Sequence, residues 1–434
     1  MTAPDEIVWI NHAGYELRSG ALRLVTDPWM EGAAFANGWS LLSPTQYPYQ
    51  NFKDVNFIWF SHEHPDHFAP PCLSKIPPEY RSKITVLFQT SPDRRVTRFC
   101  EKLGFQVKEY RDWERVELSP GAAITIATIG HDSWSFVETE NATYLNFNDC
   151  ISPGREALAA IRDRLNRPID VLLTQFSYAM WAGNPGQLDV MRVKAEQKIK
   201  EMEAQIEVFA PRVLIPFASY VWFSHPENFH LNAGVNHIDA VYSRFKNRIQ
   251  QCVVLYPGET FTIGADHDSD ASVARYMRDV HSHSGPLAAP EQSVPLKQLL
   301  ELAEKRQASL RTHNTMWALA PLKWIDYMPK VRIYLKDIGA GISYSMFDGI
   351  SSSGVNREDC DMEFSSSLFA MMLKFGYGYD TLLTSGRFLE KTPGAHALLG
   401  KSFRVPHDNE LGLSYPAALL GGDIRHRLKA LLVR

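Results

Sequence analysis

Along the first part of the chain, apolar residues come in short runs separated by polar turns. The stretches "EIVWINHAGYEL", "ALRLVTDPW", "VNFIWFSH", "SKITVLFQTS", "GFQVKEY" and "AAITIATIGH" read as strands, because runs of this length bounded by turn residues suit the faces of a sheet. Between them, "DRRVTRFCEKLG" has the length and closing glycine of a helix. Two further strands are predicted in "ATYLNFND" and "IDVLLTQF". A long helix is predicted over Leu188–Phe209, where apolar positions recur at helical spacing among charges. "PRVLIPFASY" returns to strand, and "QCVVLYPGETFTIGAD" predicts a closing hairpin turning at Pro257 and Gly258. This alternation predicts an α/β unit over residues 1–265.

The pattern then changes. The stretch "GADHDSDASVARYMRDVHSHSGPLAAPEQSVP" is polar and contains Gly, Ser and Pro, which predicts a linker over residues 266–289. Beyond it, "LKQLLELAEKRQASL" and "SLFAMMLKFGY" predict helices and "KVRIYLKDIGAGISYSMF" a strand pair. Residues 290–434 therefore read as a smaller α+β domain, a cap over the first domain or a surface for a homo-oligomer. A length of 434 residues agrees with two domains rather than one ordinary core.

Composition narrows the function classes. With 45 basic against 49 acidic residues, no global field draws the chain to nucleic acid or to an anionic membrane. Neither a secretory leader nor a membrane-spanning apolar stretch is visible, so a cytoplasmic location is expected. The five cysteines, Cys72, Cys100, Cys150, Cys252 and Cys360, are too scattered for a disulfide framework or a cysteine-based metal site. The acidic run at 266–270 lacks the glycine and terminal glutamate of an EF-hand and reads as a solvated loop.

Chemistry concentrates at the end of "VNFIWFSHEHPDHFAPP". Side chains alternate along an extended chain, so His62 and His64 leave on one face and can grip one cation. Past Pro65, Asp66 and His67 turn toward a neighbouring position that can hold a second. Nitrogen and oxygen donors of this kind suit iron, zinc or manganese, and paired ions about 3.5–4 Å apart can clamp a substrate or a bridging oxygen species. Further ligands are expected where other strands end: His131, Asp149 as a bridging carboxylate, and His225. Tyr178, Trp181, Tyr220 and Trp222 are candidates for substrate contact, with the two phenols as catalytic donors alongside Asp66. Four other histidines, His281, His283, His313 and His396, show no paired ligand pattern.

The run His62-Glu63-His64-Pro65-Asp66-His67 resembles the H-x-H-x-D-H hallmark of the metallo-β-lactamase superfamily, and "INHAGYELRSGALRLVTDPW" resembles the opening hairpin of its lactonase-like and phospholipase-like branches. The resemblance implies an αββα sandwich with metals at one edge over residues 1 to about 265, joined to the smaller C-terminal α+β domain. It also implies that Asp27 sits beneath the metal loop and fixes a ligand imidazole or loop amide, with His12 packed nearby behind the ligands. "YLNFNDCISPGREAL" and "AEQKIKEMEAQIEVFAPRVLIPFASYVWFSHP" resemble, more specifically, the enzymes that hydroxylate CMP-N-acetylneuraminate. Those enzymes also carry a Rieske domain with C-x-H and C-x-x-H pairs, and no cysteine here is followed by such a histidine.

Two enzyme classes follow. One is a di-iron oxygenase that oxidises a polar small molecule such as a nucleotide-sugar, taking electrons from a separate ferredoxin or reductase. The other is a zinc-dependent hydrolase of a lactone, amide or phosphodiester. Filled ligand positions argue against a binding protein that has lost its chemistry.

Overall fold

The computed structural model of the chain describes residues 3–130, 132–150, 152–287, 291–325, 327–351 and 354–415. Two seven-stranded sheets build the first unit. The first runs Thr260–Thr262, Glu6–Asn11, Gly14–Ser19, Leu22–Thr26, Phe57–Trp59, Thr85–Gln89 and Gln106–Tyr110. The second runs Gln251–Cys252, Val213–Phe217, Val171–Gln175, Thr143–Asn148, Asp132–Glu138, Ala122–Ile129 and Glu114–Ser119.

Alternation along the first strand sorts its side chains between two cores. Ile7 and Trp9 join a cluster with Ile124, Phe136, Leu145 and Leu172 of the second sheet, whereas Val8 and Ile10 join one closed by helices Pro70–Lys75 and Arg95–Lys102. Helix Leu188–Phe209 packs on the second sheet through Ile199, Met202 and Phe209, which recur at helical spacing, and stops at the left-handed Ala210 before Pro211. The layers are helix, sheet, sheet, helix, the αββα arrangement of the metallo-β-lactamase fold.

Strand direction decides where chemistry can gather. Leu22–Thr26, Phe57–Trp59 and Thr85–Gln89 are mutually parallel, as are Thr143–Asn148, Val171–Gln175 and Val213–Phe217. Glu6–Asn11 is antiparallel to Gly14–Ser19, which is antiparallel to Leu22–Thr26. The first strand therefore ends at the same edge as the parallel ones. Ligands collect at such an edge because the loops leaving it converge.

Two expectations about local structure need correction. The segment 251–265 is no hairpin: Gln251–Cys252 pairs with Val213–Phe217 in the second sheet, while Thr260–Thr262 pairs with Glu6–Asn11 in the first. Buried Val253, Val254 and Leu255 carry the chain through the core between sheets, and Gly258, at φ 87°, donates its amide to the Trp9 carbonyl. A turn signal marks a reversal but not which strands it joins. The polar stretch 266–289 also contains helix Ser269–Ser282, capped by the Asp268 side chain on the Ala271 amide. Its Tyr276 is fully buried, stacked on Tyr220 at 4.3 Å and hydrogen-bonded to Trp9 and the Leu255 carbonyl.

The C-terminal α+β part has a five-stranded sheet ordered Gly349–Ser351, Ala340–Ser345, Val331–Leu335, Met362–Phe364 and Leu389–Glu390. Helices Leu296–His313, Ser366–Lys374 and Ala395–Glu410 pack on it through Leu299, Phe369, Leu399 and Phe403. Trp181 of the first unit enters this core, and its amide donates to the Leu383 carbonyl at 2.8 Å. Among the described residues, no helix is long and apolar enough to cross a membrane.

The buried Tyr276 makes helix Ser269–Ser282 part of the first unit's core. Tyr276→Ala is expected to lower unfolding free energy by about 3–5 kcal/mol, the range for truncating a large core aromatic, measured by urea denaturation.

Candidate metal centre

Four residues that end strands or directly follow them hold left-handed backbone at this edge: His12 (φ 42°), Asp27 (φ 35°), Asn148 (φ 53°) and Ala218 (φ 45°). Such a conformation costs a non-glycine residue about 1–2 kcal/mol and persists only where surrounding contacts enforce it. Here they do. Asn11 and Asn146 side chains accept from the His12 and Asn148 amides, and the Ala218 amide donates to the His12 carbonyl. The bent strand ends turn the next side chains inward.

Two sets of donors result: His62, His64 and Asp149, and His12, Asp66 and His67, each with ligand atoms within 4.8 Å of one another. His62 Nε2 lies 2.7 Å from His64 Nδ1 and 3.8 Å from Asp149 Oδ2. Asp66 Oδ2 is 3.3 Å from both His12 Nε2 and His67 Nε2. Asp149 Oδ2 is also 3.4 Å from His67 Nε2, so this carboxylate stands between the sets.

Asp27 supports the loop from below. Fully buried, it accepts from the Ser61 amide (2.8 Å), Ser61 Oγ (2.7 Å), Asn148 Nδ2 (2.7 Å) and His67 Nδ1 (3.0 Å). The last bond leaves His67 Nε2 facing the donor sets. Ser61 in turn accepts at its carbonyl from Ser133 and Gln89, which fixes the start of the loop.

His12 Nδ1, Asp66 Oδ1 and Asp149 Oδ1 are buried without a hydrogen-bond partner, and His12 Nε2 and His67 Nε2 face only carboxylate oxygens, at 3.3–3.4 Å. Leaving so many polar atoms unpaired is costly unless something else binds them. Burial pushes the His12, His62 and His64 imidazoles below their usual range, toward the neutral form that binds metal. Burial also works against charge on His67, but Asp66, Asp149 and Asp27 outweigh it and raise that imidazole well above its usual range. Burial opposes ionisation of Asp66 and Asp149 too, yet the facing imidazoles hold both carboxyls below theirs. Four imidazoles gathered around two carboxylates fit cations.

The edge does not take up every expected residue. His131 lies outside the described residues. Among the described residues His225 belongs to neither donor set: Val213–Phe217 is followed by Val221–Phe223, which pairs with Trp39–Leu41 in a separate small sheet just before His225. Its Nδ1 accepts from the Glu227 amide at 3.2 Å. His12, expected behind the ligands, stands among them instead. Sequence could have located it, since the first strand of a three-strand meander ends at the same edge as the third.

The Tyr178 and Tyr220 hydroxyls, expected as catalytic donors, are buried and donate to the Leu231 and Pro216 carbonyls. Trp181 packs on Phe388 and Trp222 stacks on His283. A recess lined by Tyr178, Tyr220, Trp222 and His283 shares no lining residue with either donor set.

A family model described as a beta-lactamase superfamily domain matches residues 6–147, the stretch that supplies His12, Asp27 and the histidine loop. Over that stretch the chain is similar to the beta-lactamase superfamily. The chain is also similar to cytidine monophosphate-N-acetylneuraminic acid hydroxylases. With the Danio rerio protein it shares 26% identity over 240 residues, 51% of this chain and 39% of that protein. With the Cricetulus griseus protein it shares 25% over 310 residues, 66% and 51% of the two. The matches thus span about half or less of these relatives' length. Among solved structures, CmlA, a diiron beta-hydroxylase from Streptomyces venezuelae, aligns with a TM-score of 0.43 at 13% identity, covering 61% of this chain and 55% of that one.

His12→Ala is expected to remove one bound metal ion and His225→Ala none, read by elemental analysis of protein purified without chelators. Asp27→Ala should weaken metal binding by about 10–100-fold, read by competition with a chromophoric chelator.

Proposed function

We propose that the protein is a binuclear metal-dependent oxygenase that hydroxylates a polar small molecule, a nucleotide-sugar or a compound like it. The observation that supports this most is the pair of adjacent three-residue donor sets with Asp149 between them. In this reading His62, His64 and Asp149 hold one ion, and His12, Asp66 and His67 hold the other. Two iron ions, when bound, would supply reductive activation of dioxygen. Asp27 holds the His67 ring so that Nε2 faces the ion, and the buried floor of the site keeps water from its back. His64 and Asp149 are half-buried, which makes their side the approach for substrate.

Support for oxidation comes from the named activity of the hydroxylase relatives. Hydroxylating a C–H bond with dioxygen yields an alcohol and water and consumes two electrons and two protons. A ferredoxin or reductase is proposed as the source of the electrons. A zinc hydrolase is the second reading, favoured by a donor set that suits zinc equally well: histidines in both groups and no soft ligand.

Isotope labelling separates the readings. CMP-N-acetylneuraminate turned over by iron-loaded protein with a chemical reductant should take its new oxygen from heavy-isotope dioxygen. Independently of substrate, anaerobic reduction followed by air should change the visible absorption of the iron-loaded protein. Loss of neither ligand nor fold but an unchanged spectrum, with hydrolysis supported by zinc alone under nitrogen, would replace oxidation by hydrolysis.

A further inference from the structure

Beside the metal edge, Phe35, Ala36 and Asn37 are all left-handed, with φ of 49°, 52° and 60°. Three consecutive non-glycine residues in that region are strained and need outside restraint. Their importance lies in what Phe35 touches: its ring packs on Trp39 at 4.5 Å and, edge to face, on the His64 ring at 5.4 Å. This strap forms a wall of the imidazole that holds the more open ion.

Part of the restraint comes from the first unit, where the Ser224 amide and Asn228 Nδ2 donate to the Gly38 carbonyl, and part from the C-terminal part. Arg387, with its side chain 1% exposed, follows helix Gly378–Ser385 and donates to the Ala36 carbonyl. Its guanidinium also grips Glu291 with two bonds, at 2.5 and 2.8 Å, and donates to Glu227 at 2.7 Å. Lys336 holds the other Glu227 oxygen at 2.7 Å. Asn228 bridges the Gly38 and Ser385 carbonyls, and a side chain added at Gly38 would meet the Ser385 Cβ at 3.0 Å. On the far side of His64, Glu63 pairs with Arg95 at 2.9 Å, and that guanidinium lies over Tyr377, again from the C-terminal part. The C-terminal part thus touches two neighbours of the metal loop, the strap at Ala36 and Arg95.

We propose that Arg387 is a positioning residue of the metal centre: anchored by Glu227 and Glu291, it fixes strap 35–38 so that Phe35 holds the His64 ring in its ligand orientation. The inference rests on the metal-centre reading and extends it, because a buried arginine far along the chain then tunes one of the two ion positions. Its planar fork suits the task, since one guanidinium can satisfy two carboxylates and still donate to a carbonyl.

Cobalt titration of chelator-treated full-length protein tests it, with the visible bands reporting ligand geometry and near-ultraviolet circular dichroism reporting the fold. The parent should take up two ions. Arg387→Ala and, independently, Phe35→Ala should weaken one cobalt ion by about 10-fold or more and shift its bands, leaving the second unchanged. Because Arg387→Ala strands two carboxylates and can fail to fold, a triple variant with Arg387→Met, Glu227→Gln and Glu291→Gln removes the charges together and should give the same selective loss. Folded variants that bind both ions as the parent does overturn the role of Arg387. A parent that binds no cobalt overturns the metal reading itself, so the two failures are distinct.

Discussion

The carboxylate of Asp27 joins three pieces of chain: the end of Leu22–Thr26, the histidine loop through Ser61 and His67, and, across the sandwich, the end of Thr143–Asn148 through Asn148. The first two belong to one side of the sandwich and the third to the other. A buried charge is tolerated only when hydrogen bonds replace its water, and these four bonds do so. They also fix the distance between the sheets where the donor sets meet. Replacing the charge would release the loop, one sheet end and a ligand ring together, so metal geometry and sheet packing share one support.

Much of this architecture was legible in the chain because its signals are local. Helix Leu188–Phe209 announces itself through periodicity and stops where a left-handed residue and a proline follow. The histidine loop is legible because so many donors in one short stretch have few other uses. What failed was information about partners. His225 looked like a strand-end ligand since "VLIPFASYVWFSH" reads as one apolar run, yet the strand stops at Phe217. His12 was expected behind the ligands because a hairpin hides the direction shared by its first strand and a later one. The predicted hairpin at Pro257 failed likewise, since apolar pattern says that a strand is buried and not which sheet receives it.

Tyr178 and Tyr220 show a related limit. Both lie near segments that approach the site in sequence, and both are absorbed by packing and backbone carbonyls. An aromatic residue's area makes it valuable to a core, and one sequence cannot tell that use from substrate contact. Arg387 was invisible for the opposite reason. Nothing around "TSGRFLE" marks a buried arginine, and only the convergence of Glu227, Glu291 and the strap gives it meaning.

The passage of residues 253–262 from one sheet to the other bears on how the chain reaches this state. Strand Glu6–Asn11 receives its outer neighbour only when Thr260–Thr262 arrives, a pairing between nearly opposite ends of the first unit. Closing so long a loop carries an entropic cost before any contact rewards it, which makes this a slow step. During synthesis the amino-terminal meander is therefore complete long before its edge is covered, and for that interval it presents unpaired backbone groups to other chains. The segment that seals the sandwich is among the last of its parts to be made.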